Sequence, residues 1–252
     1  MSKNSLIPEG FKDHVDFDTT VEHTYKNKII DFFISNGFDL VKTPLLEFFN
    51  SENDNCFVIE TKKNQSKLIL RDDITPQIIR IASSRLKNKI RPIKLCYYGE
   101  VIRKTGTMLR PERQFLQVGA EIIGTNSIFA DIEIIRLAYE SLSRIGVSEI
   151  TIELTSKIFL KEIYSKFKDE NLLNKLKEYI KQKDKKNALA LIENEKDKVF
   201  LENLFFLTGN SNKLKHNFNK LSISNDTEKE INNIKKIISN IKLKANDQII
   251  FD

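Results

Sequence analysis

The 252 residues predict an α+β protein. The expected layout is an antiparallel sheet flanked by helices over residues 1–155, a helical region over 156–245, and the start of a returning strand at 246–252. Three observations predict it. Residues 114–124, QFLQVGAEIIG, alternate with a period of two. Leu116, Val118, Ala120 and Ile122 fall on one face, and Gln117, Gly119 and Glu121 on the other. Residues 128–145 repeat instead at helical spacing and stop at Gly146. Beyond Thr155 strand signals become sparse, while lysines and helical stretches multiply.

The elements follow in order. Thr19-x-x-Glu22 reads as a capping box, after which Val21, Tyr25, Ile29, Phe32 and Phe33 keep helical spacing and Gly37 stops the helix. Residues 38–48 read as a strand broken or edged at Pro44, because proline cannot donate to a ladder. Residues 56–61 and 67–70 read as short strands joined by the polar turn 62–66. A helix over 75–86, a strand over 92–103, a loop over 104–112 and a returning strand over 114–124 come next. Helix 128–145 and strand 149–154 close the first region. The second carries helices near 158–167, 172–182, 187–193, 199–207 and 227–243, then a strand at 248–251. No internal repeat or low-complexity linker appears.

Composition excludes several classes. No apolar run reaches the roughly 20 residues of a membrane span, and the first residues, MSKNSLIP, lack an apolar core of signal-peptide length. Cys56 and Cys96 are far apart, which fits a reducing cytoplasm and argues against a disulfide framework or a cysteine zinc site. His14, His23 and His216 are equally scattered, so no metal is expected. Neither a phosphate loop nor a nucleophile motif occurs, and no cofactor is expected. The net charge of +6 resides wholly in residues 156–252, where lysines outnumber acids. Such mixed charge is more often the solvated face of helices than a nucleic-acid surface.

Two stretches invite a functional reading. In RDDITPQ, residues 71–77, an arginine, two aspartates and a threonine follow the apolar Leu68-Ile69-Leu70. Thr75 before Pro76 suits a helix N-cap; the same polar groups suit a ligand site. The polar face of strand 114–124 is open in the same way. Solvated, it is ordinary alternation; lining a pocket, it makes Gln117 and Glu121 recognition groups about 13 Å apart. All nine arginines lie between Arg71 and Arg144 in a chain of 32 lysines. Arginine offers a planar fork for carboxylate or phosphate that lysine lacks, and Arg103 and Arg113 flank the 104–112 loop.

The stretch KLCYYGEVIRKTGTMLRPERQFLQVGAEIIG resembles motif 2 of the class II aminoacyl-tRNA synthetases, in the histidyl branch. RDDITPQIIR resembles that branch's histidine-binding segment. LIPEGFKDH and GFDLVKTPLLEF resemble its N-terminal strand and motif 1, whose proline, here Pro44, sits near a dimer interface. The resemblance covers residues 6 to 154 and implies a class II synthetase-like antiparallel sheet. It further implies that Asp73 and Thr75 grip the amino group of histidine, that Arg103 meets its carboxylate, and that Gln117 and Glu121 complete the pocket around amino group and imidazole. Arg113 stands where the family contacts nucleotide and is a candidate anion contact. Arg71 and Asp72 are read as a local structural pair.

The departures redirect the functional expectation. The synthetases carry Glu-Gly-Thr where this sequence has Asp73-Ile74-Thr75, and an acid where it has Thr105. The glycine-rich motif 3 and the glycine- and tyrosine-rich histidine signature have no counterpart in the 252 residues. Asp-Ile-Thr-Pro-Gln with Leu-Cys-Tyr is similar to the histidyl-synthetase-like regulatory subunits of ATP phosphoribosyltransferase. That resemblance implies a non-catalytic cytoplasmic protein with three partners: a short-form catalytic subunit, L-histidine as feedback ligand, and a second copy through the motif 1 region. A synthetase that activates histidine with ATP, and a nucleic-acid-binding remnant on the lysine-rich helices, are the alternatives.

Overall fold

The computed structural model describes residues 6–49, 55–60, 66–165, 167–207, 209–210 and 224–251. The expected 62–66 turn falls largely outside them, as does His216. The chain forms two compact units, Met1–Gly146 and Val147–Asp252. The division thus lies nine residues before the expected boundary at 155, and strand 151–154 goes with the helical part.

The first unit opens with α1 (Asp16–Ser35). It starts one turn before the expected capping box, with Val15 at the N-cap and Asp16 and Asp18 against the positive end of the helix dipole. Gly37, at φ +83°, takes the left-handed turn that ends it. The break at Pro44 separates two sheets. β1 (Asp39–Val41) runs parallel to β5 (Ile93–Ile102), whereas β2 (Leu46–Phe48) pairs antiparallel with β4 (Leu68–Leu70), which also pairs with β3 (Val58–Ile59). α2 (Thr75–Ser83) follows, and β5 then forms a ten-pair antiparallel hairpin with β6 (Gln114–Ile123). Ser127 caps α3 (Ile128–Arg144) by accepting the amide of Phe129.

The hairpin has two buried faces, and they differ in kind. Val118, Ala120, Ile122 and Cys96 pack against Ile30, Phe33 and Leu137 from α1 and α3. That is the apolar face expected from the alternation. The opposite face carries Ile93, Leu95, Tyr97, Val101 and Phe115 under Ile74 and Ile78 of the α2 segment. Gln117, Gly119 and Glu121 lie on this second face, opposite Gly99, Tyr97 and Leu95 respectively. Their face is therefore covered by α2.

The second unit holds β7 (Thr151–Leu154), α4 (Lys157–Tyr164), α5 (Glu170–Lys181), α6 (Lys185–Ala190), α7 (Glu195–Leu207), β8 (Gly209–Asn210), α8 (Asn225–Asn240) and β9 (Gln248–Phe251). The final strand returns to β7 in parallel register. With β8 the two form their own three-stranded sheet, distinct from β1–β5–β6. Phe159, Ile163, Leu176, Phe200, Leu201 and Ile231 make the helical core. Glu162 pins α8 to α4: it accepts the Ser224 amide at 3.1 Å, the Ser224 hydroxyl at 3.0 Å and the Thr227 hydroxyl.

Candidate functional site

The turn after β4 sets the site. Ile74, not Thr75, occupies the N-cap of α2, and Thr75 is the first helical residue. Asp73 serves the helix start instead, accepting the Thr75 amide on Oδ1 at 3.1 Å. This frees the Thr75 hydroxyl. It lies 2.9 Å from the Tyr97 hydroxyl and donates to Glu121 Oε1 at 3.1 Å. Tyr97 OH is in turn 3.2 Å from the same Oε1. Two hydroxyl protons serve three contacts, so one contact is always without a proton.

A second set of bonds ties the turn to β6. Gln117 Nε2 donates to Asp73 Oδ1 at 2.8 Å, and Gln117 Oε1 accepts the Ile74 amide at 2.9 Å. Four of the five expected histidine contacts, Asp73, Thr75, Gln117 and Glu121, therefore converge in one network. Asp73 and Glu121 each commit one oxygen to it. Among the described residues nothing donates to Asp73 Oδ2 or Glu121 Oε2. Two half-buried carboxylates, each with one oxygen held and one open, can receive two N–H donors of a ligand.

The fifth, Arg103, stands at the Gln117 end of the same face. Its guanidinium lies over the Phe115 ring at 5.0 Å, with Arg110 over that ring at 4.5 Å. Among the described residues its side chain has no hydrogen-bond partner, so the fork can still take a carboxylate. Arg113 is used differently. It donates to Glu9 O at 3.0 Å and Arg103 O at 3.3 Å and packs over Phe57 and Phe11. The structure gives this candidate anion contact a packing position at the loop base.

Tyr97 was not legible as part of the site. It is 3% exposed, and its hydroxyl is pushed up to about 12, first by burial and then by the Glu121 carboxylate, against the lowering hydrogen bond to Thr75. It is therefore a neutral donor near pH 7. The available signal was Gly119, since a glycine inside a strand often marks a close approach.

Arg71 supports the turn from below, and Asp72 is not its partner. Its guanidinium donates to Glu100 O at 2.7 Å, Thr43 Oγ1 at 2.8 Å, Thr43 O at 3.0 Å, Pro44 O at 3.3 Å and Gln77 Oε1 at 3.4 Å. The pairing with Asp72 failed because the chain folds Arg71 inward, where burial lowers its pKa and carbonyls replace a counterion. Among the described residues no three His, Cys, Asp or Glu side chains gather as metal ligands.

The family model described as histidyl-tRNA synthetase matches residues 10–252. The chain belongs to the histidyl-tRNA synthetase family. Within it, the chain is 34% identical to an ATP phosphoribosyltransferase regulatory subunit of Rhodospirillum rubrum over 196 residues, 74% of this chain and 51% of that protein. It is 31% identical over 222 residues to the subunit of the same name from Thermoanaerobacter sp., covering 83% of this chain and 57% of that one. The chain spans about half the length of the curated relatives it matches. Among solved structures, an ATP phosphoribosyltransferase regulatory subunit/histidyl-tRNA synthetase from Bacillus halodurans superposes with a TM-score of 0.84 at 21% identity, over 100% of this chain and 68% of that one. Histidyl-tRNA synthetase from Nostoc sp. gives 0.77 at 17%, over 100% and 61%. These likenesses carry the class II synthetase-like fold. Among the described residues no helix is long and apolar enough to cross a membrane.

Proposed function

We propose that this chain is the histidine-sensing part of a non-catalytic regulatory subunit of ATP phosphoribosyltransferase, acting with a short-form catalytic subunit in the first step of L-histidine biosynthesis. The observation that carries the reading is the pair of half-committed carboxylates, Asp73 and Glu121, on one covered sheet face. In this reading Asp73, Thr75 and Gln117 hold the α-ammonium of histidine, Glu121 takes an imidazole N–H, and Arg103 takes the carboxylate. Arg113 is left to packing. The names of the relatives at 34% and 31% identity support the regulatory role.

Regulation then means that histidine binds one state of a hetero-oligomer more tightly than another, a coupling free energy between two sites. Self-association is assigned to the motif 1 region. Its support is β2, where Phe48 is 73% and Leu46 45% exposed, a large apolar surface on a short strand. A cytoplasmic location fits two buried cysteines, Cys56 and Cys96, that form no disulfide with each other.

The test is ATP phosphoribosyltransferase turnover by a short-form catalytic subunit, measured without this chain, with it, and with histidine added. Stimulation by the chain that histidine reverses supports the proposal. Absence of stimulation overturns it. The family match also favours a second reading, activation of histidine with ATP; histidine-dependent ATP–pyrophosphate exchange by this chain would establish that one instead.

A further inference from the structure

The second unit, Val147–Asp252, contains a cavity that the histidine reading leaves unused. Its volume is about 570 Å³, within the roughly 300–1,000 Å³ of small-molecule sites. The floor is apolar: Phe159 and Leu160 of α4, Ile180 of α5, and Leu201, Leu204 and Phe205 of α7. The mouth carries Lys157 at the start of α4 and Lys181, Lys183 and Lys185 along the turn between α5 and α6. Among the described residues no Asp or Glu lines it.

Lysines near the end of a helix such as α5 are unremarkable alone, since they complement its dipole. Their position around an apolar floor is what needs explaining. Lys185 is partly neutralised by Glu202 at 2.8 Å. Lys157 and Lys181 have no carboxylate within ion-pair distance among the described residues. Thr155 and Ser156 also line the mouth, and the Ser156 hydroxyl is already engaged, donating to Glu230 at 2.7 Å and accepting the Ile158 amide. The site therefore offers point charges and apolar surface, with no planar fork for phosphate or guanidinium-style recognition.

We propose that this cavity binds an anionic amphiphile, a carboxylate on an apolar chain, with the chain against Phe159, Leu160 and Leu204 and the carboxylate between Lys157 and Lys181. The inference does not rest on the histidine site, which lies in the other unit.

The test uses the full chain, titrated calorimetrically with decanoate below its micelle concentration, with decanol as the uncharged control. The expected result is saturable one-to-one binding of decanoate, and decanol weaker by about tenfold. Lys157→Glu combined with Lys181→Glu should weaken decanoate by about tenfold, leave decanol unchanged, and keep the melting temperature of the parent, since both side chains are exposed. Leu160→Trp, which fills the floor, should weaken both ligands. No saturable binding, equal affinity for decanol, or indifference to the double charge reversal would each overturn the proposal.

Discussion

Tyr97 lies directly over Gly119 of the neighbouring strand. A Cβ at Gly119 would fall 2.4 Å from the Tyr97 ring carbon Cζ and from its hydroxyl oxygen. The two residues are register partners in the hairpin, so the ring crosses the partner strand where that strand has no side chain. This is what delivers the Tyr97 hydroxyl to Thr75 and Glu121.

Gly119→Ala should therefore destabilise the fold. A glycine elsewhere in a strand is replaced by alanine with a gain of about 0.5–1 kcal/mol. Here the buried ring must move, and a loss of about 1–3 kcal/mol is expected. Urea unfolding measures the sign directly. In a Tyr97→Leu background most of the penalty should vanish. A gain on Gly119→Ala in the parent chain would show that the ring has room.

The raised pKa of Tyr97 gives a pH signature. The unfolded tyrosine ionises near 10, the folded one near 12. Between these values the unfolded chain releases a proton that the folded chain keeps, so stability falls as pH rises. The contribution is fully present below pH 10 and is lost through pH 12, up to about 3 kcal/mol. Tyr97→Phe removes this dependence. Denaturation of the two proteins at a series of alkaline pH values should give curves that converge toward pH 12; parallel curves would mean that Tyr97 titrates normally.

Arg71 gives a sharper stability test. Its guanidinium joins the Thr43–Pro44 turn to β5 and α2 through Glu100 O and Gln77, and it lies over Gly99, where a Cβ would be 2.1 Å from Nη2. Arg71→Met leaves several buried acceptors without a donor, at a cost of about 3 kcal/mol. Arg71→Lys should rescue little of it, because one ammonium cannot reach both strands at once. Full rescue by lysine in chemical denaturation would refute the bridging role.

The sequence made the hairpin readable because the period of two in 114–124 separates two chemically different faces, and the resemblance singled out Asp73, Thr75, Gln117 and Glu121, which hydrogen bonds bring together. Two things were hidden. The partner of each β6 residue depends on the hairpin register, which the long 104–112 loop leaves undetermined in sequence. So Tyr97 could not be matched to Gly119, nor Gly99 to Gln117. The role of Arg71 was hidden because three of its five acceptors are main-chain carbonyls 27 to 29 residues away, and carbonyls have no sequence signature. The division into units after Gly146 was hidden because strand 151–154 pairs with 248–251, a contact nearly a hundred residues apart that only the fold reveals.

Arg103 separates the histidine proposal from a general amine site. Asp73 and Glu121 would bind the amino group and imidazole of histamine as well as those of histidine. Only Arg103, held over Phe115, adds an interaction with the carboxylate that histamine lacks. A charge-assisted pair of this kind contributes about 1.5–3 kcal/mol, which is about one to two powers of ten in affinity. Histidine should therefore bind more tightly than histamine by that factor. Arg103→Ala should abolish the difference by weakening histidine alone, while Glu121→Ala should weaken both ligands. Calorimetric titration of the parent and the two variants with each ligand reads all of these effects. If Arg103→Ala weakens histamine as much as histidine, the arginine acts on the shape of the site and not on the carboxylate.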